Sequence, residues 1–310
     1  MKTGIPEALK ADLPPNVWGK VFGATPIVMT VLATILAGLS SSEITRAQYD
    51  RALAAQMQSK AGDQWNFFQG KKLRGALQRN TLDVMVGTAE VHPLTREALL
   101  ASLGDTPAGA AMRSTAGQPV LAALTGAGPP NPGPAPDANA GVQAALAALD
   151  ASRPDAELVA LLARVQDDVL ESALRGAQAQ AMAFDAIIKP IGQGIDLVER
   201  QLAGPGADAA LRRSCIAARL GYAALRYDAE ARLNQTIASL YELQVRKANI
   251  SAERHYSRSQ MFFYGMLAAQ AGVIIATLAI AARKRSLLWS LAAGAGTAAL
   301  SFAVYVYLGV

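Results

Sequence analysis

One cysteine, Cys215, and two histidines, His92 and His255, are too few for a disulfide framework or for a cluster of His and Cys metal ligands. Charge is scarce as well. Asp, Glu, Lys and Arg make up 17% of the residues, against about 25% in an ordinary soluble domain, and aromatic residues only 6%. Apolar residues fill the gap: 52% of the 310 residues are hydrophobic, and the mean hydropathy is +0.20. Disorder throughout and a simple secreted domain are excluded. The composition is that of a membrane protein.

Three long apolar runs carry that reading. The first, Val21 to Leu39, contains no charge and at roughly 19 residues matches a ~30 Å hydrocarbon layer. It is longer than the core of a signal peptide, so it is expected to be retained as a span. The second, Met261 to Ala282, and the third, Leu287 to Leu308, are separated by Arg283, Lys284, Arg285 and Ser286. Short loops rich in Lys and Arg stay in the cytoplasm. The turn therefore points inward, the N-terminus with Lys2, Lys10 and Lys20 lies inside too, and the large central segment stands in a bacterial periplasm. Arg46, Arg51, Arg254 and Arg258 flank the outer ends, so the charge bias rests chiefly on the tight turn. Trp18 and Trp289 near the inner ends, with Phe262, Phe263 and Tyr264 near an outer end, suit an aromatic belt. Small residues recur four apart, as in Gly265 with Ala269, Ala268 with Gly272, Ala292 with Gly296 and Gly294 with Ala298. Gly265, Gly272, Gly294 and Gly296 are thus candidates for close packing of membrane helices. The spans hold no Asp, Glu, Lys, Arg or His, and Gln270 is their one strongly polar side chain. A transporter or proton relay needs ionisable groups at depth, which argues against one.

Beyond the first span no proline interrupts the chain before Pro93, and Leu53, Met57 and Ala61 recur at helical spacing. The span is expected to continue as a stalk. A helix of about 25 further residues carries Trp65, Phe67 and Phe68 roughly 38 Å from the membrane, too far for the interface belt, so these aromatics should pack on a partner helix. The complementary element starts at Pro205, Gly206 and Asp208 and runs directly into the second span. Within it Ala229, Leu233, Thr236, Leu240, Leu243, Lys247 and Ile250 alternate in steps of four and three, a coiled-coil seam. Leu233, Leu240 and Leu243 are the expected surface facing the aromatics. A third helix is expected over 155–202, kinked or ended at Pro190, Gly192 and Gly194. Residues 104–140, with seven prolines from Pro107 to Pro136, read as a distal loop. Short helices over 94–103 and 142–149 cover it.

The expected architecture is all-α: three spans, with a long extramembrane helical hairpin continuous with spans one and two. In order, 1–20 is a cytoplasmic N-terminus, 21–39 span one, 40–103 the outgoing stalk with a short helix, and 104–140 the loop. Then come 141–204 as a helical segment, 205–260 as the returning stalk, 261–282 as span two, 283–286 as the turn and 287–308 as span three.

The run Asp63, Gln64, Trp65, Asn66, Phe67, Phe68, Gln69, Gly70, Lys71, Lys72 resembles the hallmark of a bacterial membrane-protein family catalogued as domain of unknown function 4337. In that family DQW, two aromatics, Gln, a small residue and Lys follow a first span. The order His255, an apolar span, Arg283 to Arg285, Trp289 and a last span is similar too. The likeness covers roughly residues 20–80 and 225–308. It implies the topology and a helical stalk, and carries no activity or catalytic residue.

Other candidates have blander readings. Asp167, Asp168 and Glu171 lack a His neighbour and suit a solvated helix face. His255 reads as an interfacial histidine covering a helix end rather than a pH sensor, and Cys215 as a small buried apolar residue. Gly204, Pro205 and Gly206 lack the Lys and Ser or Thr of a phosphate loop, and no G-x-S-x-G is present. Lys71, Lys72, Arg74 and Arg79 form the densest basic group outside the turn. They could meet an acidic partner, but read as a solvated face. The net charge of +5 is spread rather than gathered into a nucleic-acid module. The sequence thus predicts a non-enzymatic structural or interaction subunit of the inner membrane, without catalytic residue, metal or cofactor. Its expected partners are the lipid bilayer, further copies of itself and other membrane or periplasmic proteins, with no nucleic acid. The alternative is a pore-forming or transport-associated subunit.

Overall fold

The computed structural model describes residues 17–133, 139–204, 208–282 and 286–309. Lys2 and Lys10, Pro134 and Pro136, the helix start at Pro205 and Gly206, and the basic turn Arg283 to Arg285 lie outside them, as does the side chain of Trp18. Among the described residues there are nine α-helices and no strand. They are α1 (Val17–Thr88), α2 (Arg96–Leu103), α3 (Pro107–Arg113), α4 (Gln118–Leu124), α5 (Ala140–Asp150), α6 (Asp155–Leu162), α7 (Asp167–Leu202), α8 (Ala209–Ala281) and α9 (Ser286–Gly309). The protein is all-α, and three of these helices, α1, α8 and α9, are long and apolar enough to cross a membrane. α1 and α8 each run unbroken from a water-compatible sequence into a span.

The chain forms two compact units, one of residues up to Ala54 together with those from Ala248, the other of Ala55–Lys247. The first is a three-helix packing. Met29, Ala33 and Leu36 of α1 meet Phe262 and Ala269 of α8 and Ala299 and Val306 of α9 in one core. Small residues permit it: a Cβ on Gly265 would stand 3.2 Å from both the Ala299 carbonyl oxygen and Leu36 Cδ1. Large apolar side chains cover the outside, among them Ile27, Val31, Ile274, Leu278, Leu291 and Leu300, all more than half exposed. In water such a surface would be costly; in a bilayer it meets lipid. Buried apolar residues and outward apolar residues together are what a spanning bundle requires.

The second unit is built around one side of α7. Phe184, Ile188, Ile191, Ile195, Val198 and Leu202 recur every three or four residues and are all buried. Against them pack Leu99 and Leu103 of α2, Met112 of α3, Val120, Leu121 and Leu124 of α4, and Cys215, Tyr222 and Leu233 of α8.

Three expectations are corrected here. The supposed distal loop over 104–140 holds α3, α4 and a 3-10 turn at Thr115–Gly117. Its prolines start helices rather than prevent them, since Pro107 and Pro119 sit in first turns, where the missing N–H is not needed. Thr106 caps α3 by accepting from Gly109 N at 3.2 Å. Next, the helix expected over 155–202 is two, α6 and α7, parted at 163–166. There Gln166 is extended and Asp167 and Asp168 open a new first turn. Finally, Pro190 does not end α7, which runs through it to Leu202. It lies on the exposed face, where water takes the carbonyl it leaves free, while the buried face holds the helix.

Glycines test this packing. A Cβ on Gly117 would overlap the Ala111 carbonyl oxygen and the Met112 Cα, whereas one on Gly62 in α1 meets nothing within 4 Å. Gly117→Ala should therefore destabilise by about 1–3 kcal/mol through overpacking, and Gly62→Ala should stabilise by up to ~1 kcal/mol. Thermal melting of the detergent-solubilised protein, followed by far-ultraviolet circular dichroism, reads both signs.

Candidate functional site

The side chains with most chemistry gather where α1 meets α8. In the unit of Ala55–Lys247, Trp65 Nε1–H donates to Glu242 Oε1 at 2.7 Å, and Phe68 stands edge-on to the Trp65 ring with centroids 5.4 Å apart. One turn on, Lys71 pairs with Glu230. Lys72 and Arg79 both reach Asp228, Lys72 at 3.6 Å. Lys60 lies over the Tyr241 ring and Lys71 over that of Tyr227, at 5.9 and 5.6 Å. Between these rungs Gly75 is buried, with the place of its Cβ 3.6 Å from the Ala224 carbonyl oxygen. Residue numbers rise on α1 as they fall on α8, the mark of an antiparallel pair.

The opposite side of α8 is covered as well. Leu233 and Leu240 line a groove with Val142 and Leu146 of α5 and Ala173 of α7. Gln178 of α7 donates to the Tyr241 hydroxyl at 2.9 Å, and Arg219 Nε lies 3.0 Å from Glu199 Oε2. From Ala229 to Val245, α8 keeps only Arg232 exposed. Leu233, Leu240 and Leu243 are all buried, but Leu233 and Leu240 do not face the aromatics of α1. Glu242 follows Leu240 by two residues, about 200° around the helix, so the leucines and the Trp65 partner lie on different sides. Phe67 does not join Trp65 and Phe68 either: it is 56% exposed.

The basic group keeps much of its expected solvated face, since Lys72, Arg74 and Arg79 are exposed, but it is also paired. Lys71, Lys72 and Arg79 meet an acidic partner within their own chain, on α8. Asp167 likewise holds Lys247 at 2.7 Å, Asp168 Oδ1 accepts from Val169 N, and Glu171 lies 3.6 Å from Arg175. The sequence signal for these rungs was present as Asp228, Glu230 and Glu242 on the returning helix, but nothing in their spacing names their partners.

In the other unit the same two helices meet through short polar contacts. Ser40 Oγ donates to the Ser259 carbonyl at 3.0 Å, and Ser259 Oγ to the Ser40 carbonyl at 2.9 Å. Glu43 Oε2 lies 2.5 Å from His255 Nδ1, both side chains being mostly buried, and Arg51 stacks over Tyr256 at 5.2 Å. Deeper in, Gly265, Gly272 and Gly296 each have a neighbouring helix where a Cβ would stand, while Gly294 has nothing within 4 Å. The packing of this chain uses the first three and leaves Gly294 open. Trp289 stacks on Phe22 at 4.4 Å.

A cleft of about 570 Å³ is lined by Leu82, His92, Leu94, Leu124, Tyr222 and Leu225. Beside it the Ser214 hydroxyl accepts from the backbone N–H of His92 at 3.0 Å, while the His92 ring turns to Glu90 at 3.3 Å, both side chains well exposed. A serine, a histidine and a glutamate are thus near one another without the hydroxyl-to-imidazole bond of an activated nucleophile. Burial pushes the Tyr222 hydroxyl above its ordinary range. It pushes the Cys215 thiol up to about 11, with Glu199 adding to the effect, so Cys215 stays protonated and inert at neutral pH. Among the described residues no group of His, Cys, Asp or Glu is arranged to hold a metal ion.

Two outcomes follow from this geometry. Trp65→Phe keeps the ring against Phe68 but removes the donor to Glu242. It should cost about 1.5–3 kcal/mol, the worth of a hydrogen bond to a charged group, and combine with Glu242→Gln by less than the sum of the two in a double-mutant cycle. Maleimide should leave Cys215 unlabelled in the folded protein at pH 7.5 and label it after denaturation, read by mass.

Compared with known proteins, residues 18–108 match the family described as Domain of unknown function (DUF4337). That match includes the whole DQW run and the inward face of α1 that carries Trp65, Phe68 and Lys71. No curated protein and no solved structure matches the chain.

Proposed function

With residues 18–108 matching that family, we propose that the protein is a non-enzymatic structural or interaction subunit of the bacterial inner membrane, self-associating through helix packing. The basic turn after span two faces the cytoplasm in this reading, and the unit of Ala55–Lys247 stands in the periplasm.

The carrying observation is Gln270. It lies roughly midway along the apolar stretch of α8 and is exposed on the outside of the three-helix packing. The hydroxyl residues of the spans solve their own polarity: Thr25, Thr30, Thr34, Thr277, Thr297 and Ser301 each donate to the carbonyl four residues back. An amide has two N–H donors and an acceptor oxygen, more than one carbonyl four residues back can satisfy. A glutamine directed into lipid is stabilised by a second helix that accepts and donates to it, and a copy of the same span supplies both.

A pore-forming or transport-associated subunit is the second reading, and it draws on the same side chain, placed to line a path between copies. Molar mass of the detergent-solubilised protein by light scattering tests the first. The wild type should be a multimer, and Gln270→Leu should weaken association by about 3- to 30-fold, the worth of one interhelical hydrogen bond in lipid. A monomeric wild type overturns the proposal. Conductance in reconstituted bilayers, lost in Gln270→Leu, moves the conclusion to the pore.

A further inference from the structure

Helix α1 carries a second, unused seam. Its inward face, Lys71, Gly75, Gln78, Leu82 and Met85, is wholly or partly buried. Two residues on, and so about 200° around the helix, stands the series Gly70, Leu73, Leu77, Asn80, Val84 and Gly87. These alternate in steps of three and four and are all exposed. Leu73, Leu77 and Val84 are 63%, 53% and 64% exposed, and nothing lies within 4 Å of where a Cβ of Gly70 or Gly87 would be. An ordinary solvated helix face does not place three large aliphatic residues at heptad positions with open glycines at both ends.

From this geometry we infer that the seam is the contact surface for the same seam of a second copy, in a parallel, in-register pair of α1 helices. The inference rests on the self-association proposed above and names a surface for it. The charge pattern admits a copy as the occupant, and Asn80 favours one. No seam position is charged, and the flanking positions of a parallel pair set Arg74 opposite Gln69 of the second copy and Asp83 opposite Thr88, so no like charges meet. Asn80 occupies the middle of the seam. The spacing puts it at a d position, where a slipped register would set its amide against an aliphatic side chain while the aligned parallel pair sets it against its equivalent. Orientation is supplied by anchoring: copies inserted through the same first span enter the bilayer in one sense, and confinement to a plane raises their effective concentration. The open glycines let the two backbones approach at both ends of the contact.

The test is oxidative cross-linking of the full chain in membranes, with Leu77→Cys as the probe; Cys215 is buried and stays in place. Met182→Cys, exposed on α7, serves as the control. Copper phenanthroline should convert most of the Leu77→Cys protein, and little of the Met182→Cys protein, to a disulfide-linked dimer, since equivalent core positions of a parallel pair lie within disulfide reach. Leu77→Asp should lower the dimer fraction at least tenfold with helix content and melting unchanged, because residue 77 is more than half exposed and is not among the buried core residues of its own chain. A multimeric wild type without the Leu77→Cys cross-link overturns this surface and leaves self-association standing. A monomeric wild type overturns both, and a cross-link formed only to a different protein replaces the second copy with that partner.

Discussion

The structure depends on pairing polar groups between two long helices that also have to satisfy a bilayer. Trp65, Lys71, Lys72 and Arg79 of α1 meet Glu242, Glu230 and Asp228 of α8. In the unit that holds the long apolar stretches, Ser40 and Glu43 meet Ser259 and His255 of the same helix. Partly buried ion pairs bring modest net stability, but a half-made set is costly, because each lost partner strands the other. Such a set fixes register. A slip of one residue between α1 and α8 would break every rung at once, so the helices are held in one alignment by specificity more than by strength.

That arrangement explains why α8 is covered so fully. It receives the polar face of α1 on one side and the apolar groove of α5 and α7 on the other, and then continues as a span against α1 and α9. The family match over 18–108 embraces the α1 half of the polar rungs, and the DQW run is where they are densest. In this chain the indole, with Phe68 edge-on to it, and the lysines of that run are received by acids more than a hundred residues downstream.

The spans and their helical continuations could be read from the sequence because their determinants are local: an uncharged apolar run, and no proline from Pro26 to Pro93. What could not be read was set by partners far away. Lys71, Lys72 and Arg79 look solvated until Glu230 and Asp228 are placed beside them. The steps of four and three through Leu233, Leu240 and Leu243 mark burial correctly, but periodicity does not say which neighbour fills the groove. The prolines between 104 and 124 misled for another reason. Proline both ends and begins helices, and Thr106 as a cap decides for the second only when Met112 and Leu121 find a core to enter. The break at 163–166 had a local sign, the paired acids Asp167 and Asp168, outweighed by the alanine-rich pattern on either side.

Continuity of α1 and α8 from lipid into water is the claim on which the rest stands, and hydrogen exchange of the full chain in lipid nanodiscs measures it directly. Backbone amides of 40–60 and 247–259 should exchange slowly and without a gap, as hydrogen-bonded helix does. Exchange within seconds across either stretch would show a break where helix meets membrane and would contradict the account.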